Sequence, residues 1–383
     1  MLTPTYIYAV VTLAVLLVFL GIVAVNLGVL PTTTAYQPAP GGQPLVAVLL
    51  PARNEASNIE ACLQSLLQQN YENITIWVYD DDSDDDTLAI TKRLAHSKLR
   101  VVEGKGMPPT GWLGKANALH RLYESVRAES EPDYLLFTDA DVHFEPEAVS
   151  RAVFTAQAWN AGLLSIFPRQ KLGTFAERLA VPTMLHWTVY NFLPLPIAFA
   201  RGSGPAFAAA NGQFMLFRRE AYEACGGHQA VRSQILEDVA LSRAVKASGH
   251  RAVLADGGPT VCTRMYNGPG EVWRGYSKNA YAFFGYKPYF LALGVLVLMI
   301  LYVLPLPLAA VAFLGGDMLL GALLVAQYLI AVQTRLLLAV RFAYPLLDCF
   351  LHPLAVLFMV AIQVNSLVWT ITGRGAWKGR GIE

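Results

Sequence analysis

Four short stretches of the chain hold most of the side chains whose types and spacing suggest chemistry: Pro51-Ala52-Arg53-Asn54-Glu55, Asp80-Asp81-Asp82-Ser83-Asp84-Asp85-Asp86, Asp139-Ala140-Asp141 and Glu237-Asp238. Asp80 and Asp81 close an apolar run, where a carboxylate can accept the N–H donors of a base held edge-on. Asp85 and Asp86 read equally well as caps of the helix that follows. Asp139 and Asp141, two residues apart, can hold a hard divalent cation through oxygen and leave room for phosphate oxygens and water. His143 beside them is either a further ligand or a hydrogen-bonded loop histidine. Glu237-Asp238 is either a general base for an attacking hydroxyl or acidic charge that complements a helix dipole. Lys115, after Gly111-Trp112-Leu113-Gly114, is a surface lysine or a diphosphate contact beside helix N–H groups. No Ser–His–Asp triad, Walker loop or GxGxxG fingerprint is present.

These residues need elements to position them. Residues 45–50, 74–79, 100–103 and 134–138 are short apolar runs that predict buried strands. Between them, Ile59, Cys62, Leu63, Leu66 and Leu67 recur at helical spacing behind Ser57 or Asn58 as N-cap. Residues 87–94 and 116–127 read as the next two helices. Such alternation predicts an α/β fold with a mostly parallel sheet, whose ligands bind beyond the carboxyl ends of the strands. Arg53 to Glu55, Asp80 to Asp82 and Asp139 to Asp141 all fall at such ends.

The chain is 383 residues long, 54 % apolar and only 15 % charged, against about 25 % charged in ordinary soluble proteins. Lys plus Arg (29) nearly balances Asp plus Glu (28), so nucleic acid is not expected as a partner. Cys62, Cys225, Cys262 and Cys349 lie far apart and suggest neither a disulfide framework nor a zinc site. Residues 7–30 carry no charge, long enough for a helix to cross about 30 Å of hydrocarbon. With no basic residue ahead of them, they read as an uncleaved anchor rather than a signal peptide. Residues 31–44 form a Thr/Pro/Gly-rich linker, 45–287 a soluble domain, 289–371 a second apolar block and 372–383 a basic tail. Helices are expected at 289–314, 318–338 and 346–371. The positive-inside rule puts the middle domain, Arg335 and Arg341, and the tail (Arg374, Lys378, Arg380) on the cytoplasmic side. Three full crossings would leave the tail outside, so the last segment, with Pro345 and Pro353 near its start, is spanning, re-entrant or interfacial. Residues 179–200, interrupted by prolines, lie in the interface or form a buried helix and turn. A multi-pass protein of the plasma (inner) membrane with a cytoplasmic catalytic domain is expected.

The four motifs, in this order and rough spacing, resemble those of the inverting family 2 glycosyltransferases with the GT-A fold. Gly111-Trp112-Leu113-Gly114-Lys115, Arg264-Met265-Tyr266, Gly275-Tyr276-Ser277-Lys278-Asn279 and Trp377-Lys378-Gly379-Arg380 are similar to the branch that glycosylates carotenoids, the chlorobactene and diaponeurosporenoate glycosyltransferases. Hopanoid-associated glycosyltransferases are similar in layout. The resemblance implies a GT-A nucleotide-sugar-binding domain, a UDP-hexose donor, Mg²⁺ or Mn²⁺, and a lipid acceptor drawn from the membrane. It implies that Pro51, Arg53 and Glu55 line the nucleoside, that Asp81 pairs with the base beside Asp80, and that Lys115 contacts the diphosphate. Asp139 would lie near ribose and metal, Asp141 would bind the metal, and Asp238 would be the base beside Glu237. Asn211, Gly212, Arg264, Trp273 and Lys278 fall on the acceptor side.

Two departures stand out. Asp82 occupies the third position of the family's usual DDGS, which puts the loop's backbone angles in question. The QxxRW signature of processive synthases is absent around Trp273-Arg274, which favours a single transfer. The remaining alternatives are transfer to a polyprenyl phosphate or to a hopanoid- or ceramide-type lipid, polysaccharide synthesis, and a non-enzymatic nucleotide-sugar-binding scaffold.

Overall fold

The computed structural model describes residues 3–35 and 43–373, with the backbone of 376, 377, 380 and 381. Residues 36–42 of the expected linker, and Arg374, Lys378 and Gly379 of the tail, lie outside the described residues. The chain divides into two compact units: residues 30–171 with 196–265, and residues 1–29 with 172–195 and 266–383.

The first unit is a mixed α/β fold. Its strands are β1 (Val46–Ala52), β2 (Ile74–Asp80), β3 (Leu99–Glu103), β4 (Tyr134–Thr138), β5 (Val142–Phe144), β6 (Leu163–Phe167), β7 (Arg169–Gln170), β8 (Phe214–Arg218), β9 (Ala252–Asp256) and β10 (Val261–Thr263). Seven of them form one sheet in the order β3-β2-β1-β4-β8-β6-β9, and β5-β10-β7 form a small second sheet. β3, β2, β1 and β4 are mutually parallel, and β8 runs antiparallel to both β4 and β6. The sheet is therefore mostly parallel, as the strand–helix alternation predicts. Val46 to Leu50 are all fully buried, which is why that run is continuously apolar rather than alternating. One face is filled by Trp77, Phe137, Phe217 and Tyr222, with the Phe137 and Tyr222 rings stacked 5.0 Å apart. Pro51 is tolerated inside β1 because the pairing with β4 ends at Leu49.

The second unit is helical and apolar. Pro4–Val29, Met318–Phe342 and Leu346–Thr372 are each long and apolar enough to cross a membrane. The N-terminal helix is built into this unit: Asn26 is fully buried, donates to the Tyr190 and Leu193 carbonyls at 2.8 Å and accepts from the Leu195 N–H at 2.7 Å. The single helix expected over 289–314 is instead Pro288–Leu298, a wide π-type turn at Met299–Val303, and Pro305–Leu314. Pro305 has no N–H to give and its ring crowds the preceding turn. Pro269–Phe284 and Pro288–Val303 meet at 108°. The last segment is one helix after a tight opening turn, with Pro353 in its first turn where a missing N–H costs nothing. Within residues 179–200, Leu179, Thr183, His186, Trp187, Tyr190 and Asn191 are buried, whereas Phe192 and Ile197 are exposed.

Candidate active site

The parallel pairing of β2, β1 and β4 brings the three sequence motifs to one sheet edge. Ala52 pairs with Asp80 and Leu49 with Phe137, so Arg53–Glu55, Asp80–Asp82 and Asp139–Asp141 leave neighbouring strands on the same side. β8 runs the other way, with Phe214 opposite Thr138, and therefore delivers Asn211 and Gly212 to that edge as well.

The first loop pair is tied by short polar contacts. The Arg53 guanidinium donates to the Asp81 and Asp82 carbonyls and lies 3.6 Å from the Asp84 carboxylate. The Asn54 N–H donates to Ser83 Oγ at 3.1 Å, and the Asn54 side-chain oxygen accepts from the Asp84 N–H at 2.9 Å. Asp82 takes the left-handed conformation, φ +58°. The substitution of Asp for Gly thus leaves a glycine-type backbone geometry in place, because Asp is among the few residues that visit it. Asp80 accepts from the Ser83 N–H through Oδ2 at 3.1 Å, whereas its buried Oδ1 has no hydrogen-bond partner. Asp81 is buried, and Glu55 accepts from Asn58 at 2.9 Å. Asn58 occupies the N-cap position, but this bond replaces a capping one.

Lys115 lies in the first turn of the helix Gly114–Glu129 and joins two other motifs. Its Nζ is 2.7 Å from Asp139 Oδ1 and 3.1 Å from Glu237 Oε1. Burial opposes its charge, but Asp139, Glu237 and Asp238 outweigh that and hold the ammonium well above the usual lysine range. Asp238, at the start of the helix Glu237–Ala247, accepts from the Gly212 N–H at 3.0 Å. Burial and the neighbouring Glu237 charge push its carboxyl up to about 6, against the pull of the Val239 N–H, Lys115 and the Gly212 N–H. A carboxylate of that kind exchanges a proton near neutral pH.

Asp141 is pushed further, to about 7, by burial and by the charges of Asp139 and Glu55. Its Oδ2 accepts from Thr263 Oγ1 at 3.2 Å, while its buried Oδ1 has no hydrogen-bond partner. A buried, unpartnered carboxylate oxygen beside a second carboxylate fits a hard divalent cation. Among the described residues no group of three or more His, Cys, Asp or Glu gathers into a metal cage, so Asp139 and Asp141 would leave the remaining coordination to substrate oxygens and water. His143 is exposed on β5, paired with Cys262.

Thr263 escaped the sequence reading because only the β5–β10 register, Thr263 opposite Val142, brings it to Asp141. Asn54, a member of the first motif at φ +53°, joins the site only through its contacts to Ser83 and Asp84 in the neighbouring loop. Arg264 is exposed just after β10. Trp273 and Lys278 belong to the helical unit, on the helix Pro269–Asn279, where the Trp273 ring lies 5.9 Å from that of Phe358.

The parallel-stranded edge bears a DxD pair, a buried acidic loop and a helix-borne carboxylate, on a sheet of GT-A type. Residues 47–226 match the family model Glycosyl transferase family 2. Over 88 % of its length it is 29 % identical to the 4,4'-diaponeurosporenoate glycosyltransferase of Staphylococcus aureus (strain MRSA252), of which 87 % is covered; the protein of that name from strain USA300 is 28 % identical over the same shares. Among solved structures it is similar to the mannosyltransferase PcManGT from Pyrobaculum calidifontis in complex with GDP-Man and Mn²⁺. That likeness has a TM-score of 0.53 at 18 % identity and covers 93 % of this chain and 99 % of the other. It extends the common fold beyond the sheet.

Proposed function

We propose that the protein is an inverting hexosyltransferase that moves one sugar from a UDP-sugar to a hydroxyl or carboxyl group of a membrane lipid such as a carotenoid. The observation that carries the reading is the cluster Lys115–Asp139–Glu237 beside Asp238, which the Gly212 and Val239 N–H groups hold in place. Asp80 and Asp81 accept the N–H donors of the base, and Pro51, Arg53 and Glu55 line the nucleoside. Lys115 lies where it can take charge from the leaving diphosphate. Asp139 and Asp141 would hold Mg²⁺ or Mn²⁺, which when bound neutralises phosphate charge. Asp238 removes the proton of a hydroxyl acceptor (a carboxylate attacks already ionised), the acceptor oxygen forms its bond to the anomeric carbon from the face opposite the diphosphate, and the carbon–oxygen bond to the diphosphate breaks. Asn211, Gly212, Arg264, Trp273 and Lys278 are assigned to the acceptor side. A lipid acceptor accounts for long apolar helices on the same chain as the transferase domain, and a multi-pass protein of the plasma membrane with this domain in the cytoplasm follows from the donor. The carotenoid class is supported by the names of the relatives.

The test is mass spectrometry of lipids from cells with and without the gene. A lipid heavier by one hexose, present only with the gene and lost with Asp141→Ala, is the expected result. Unchanged lipid glycosylation together with a new polymer, or a hexosyl polyprenyl phosphate, would replace this reading.

A further inference from the structure

The segment just before β8 is pinned by buried polar side chains rather than by apolar packing alone. Ser165 on β6, Gln170 on β7, Asn211 and Gln213 are all buried. The Asn211 N–H donates to Ser165 Oγ at 2.7 Å, and the Asn211 side-chain oxygen accepts from the Gln213 N–H at 3.0 Å. The Gln213 carbonyl accepts from Thr138 Oγ1 on β4 at 2.8 Å. Gln213 Oε1 then collects two amide donors, Asn211 Nδ2 at 3.4 Å and Gln170 Nε2 at 3.2 Å. Gln170 Nε2 also donates to the Pro168 carbonyl at 3.1 Å.

Gly212 lies between the two residues held in this way. Its N–H donates to Asp238 Oδ2 at 3.0 Å, and a Cβ built on it would stand 3.3 Å from Lys115 Nζ. A glycine has more conformational freedom than any other residue, so the direction of this N–H depends on how firmly its neighbours are held. The bonds to backbone groups satisfy an irregular buried segment, as any such segment requires. The two bonds to Gln213 Oε1 are different, because they join side chain to side chain and satisfy no backbone group. Gln170 even leaves its own buried Oε1 without a partner, a cost that an apolar residue of like size would avoid. Stability alone gives no reason for that arrangement, whereas holding one peptide in one direction does.

We propose that Gln213, with Gln170 behind it, is a positioning residue for the transfer: it fixes the Gly212 peptide so that its N–H holds the Asp238 carboxylate in one orientation. This role rests on Asp238 being the base, and it reaches Asp238 only through Gly212.

The full chain, in nanodiscs made from a total lipid extract of its own cells, is given radiolabelled UDP-glucose. Single-turnover transfer per folded molecule is measured beside hydrogen exchange at the Gly212 amide. Gln213→Met should transfer about tenfold more slowly, within the loss that a misplaced catalytic group can cause. Its affinity for UDP-glucose should be unchanged, and its Gly212 amide should exchange faster. In the Asp238→Asn background the same substitution should cost nothing further, since effects that run through one group do not add. Gln170→Met, which leaves the Asn211 bond to Gln213 in place, should show the same pattern more weakly, and it keeps the test decisive if Gln213→Met does not fold. Losses that add in the double variant, or an unchanged exchange rate at Gly212, would overturn the positioning role. Full transfer by Asp238→Asn would overturn it together with the base. No labelled lipid from the wild type would count against the donor and acceptor reading instead, and the exchange rate at Gly212 would then decide the positioning role.

Discussion

Asp238 and Asp141 show how two aspartates of one site acquire different surroundings. Both carboxyls are raised by burial and by a neighbouring carboxylate, but Asp238 accepts a backbone N–H on each oxygen while Asp141 leaves an oxygen bare. As a base, Asp238 must be ionised. Its pKa of about 6 predicts that transfer falls on the acid side with half-maximal rate near that pH. In Asp238→Asn, transfer to a hydroxyl should drop by about 10²-fold or more and that acid limb should vanish, while nucleotide affinity and melting temperature stay the same. Single-turnover rates between pH 5 and 8 check this; a lower melting point with an unchanged rate would return Asp238 to the helix-dipole role. Asp141 predicts the reverse balance. A carboxyl raised above its unfolded value stabilises the fold below the unfolded pKa, and that stability is lost as pH rises through about 7. Asp141→Asn should therefore melt no lower than the wild type at pH 8 without metal, yet lose transfer as completely as the wild type does in EDTA. Full activity in either case removes the metal role.

At the scale of the element, the loop after β2 decides how the acidic stretch is presented. Asp82 at φ +58° sits where a side chain costs about 1–2 kcal/mol unless it is Gly, Asn or Asp. Asp82→Gly should be close to neutral in thermal melting and in donor affinity. Asp82→Val should lose about 1–2 kcal/mol and weaken nucleotide binding, because the Arg53 contacts to the Asp81 and Asp82 carbonyls depend on that turn. Equal melting of the two variants would mean the loop relaxes to another conformation. The helix Glu237–Ala247 is a second positioning element. It is bound to the segment that precedes β8 at Gly212 through Asp238, at Ala209 through Ser242, and at Ala198 and Ser203 through Lys246. A helix dipole alone gives no reason for such a row of contacts.

The whole molecule interleaves its two units along the chain, which passes from one to the other after residues 29, 171, 195 and 265. A soluble fragment cut at the composition boundaries, 45–287, would carry residues 172–195 and 266–287 without their partners. Trp187 would lose the rings of Tyr302 and His352, 4.9 and 4.8 Å away, and Asn191 its bond to the Tyr302 hydroxyl. Exposed apolar surface of that kind drives association. The fragment is expected to aggregate without detergent in size-exclusion chromatography, and a monodisperse soluble monomer would contradict this.

Residue order alone was enough for the strands β1, β2 and β4, because continuous apolar runs that end in Pro, Asp or Asp-Ala-Asp have few other readings. It was enough for the three long apolar helices too, since length and absence of charge are local properties. The acids of the site were visible as types at strand ends. What decided their surroundings was tertiary: antiparallel β8 brings Gly212 to Asp238, β10 brings Thr263 to Asp141, and Lys115 bridges Asp139 to Glu237 across 98 positions of chain. Burial raised two carboxyls, and burial depends on everything packed around them. The break at Pro305 was legible as a proline but not as a π-type turn, and the membership of residues 172–195 in the helical unit was not legible at all. Those residues are apolar in either unit, and only the partners that fold against them decide which core they join.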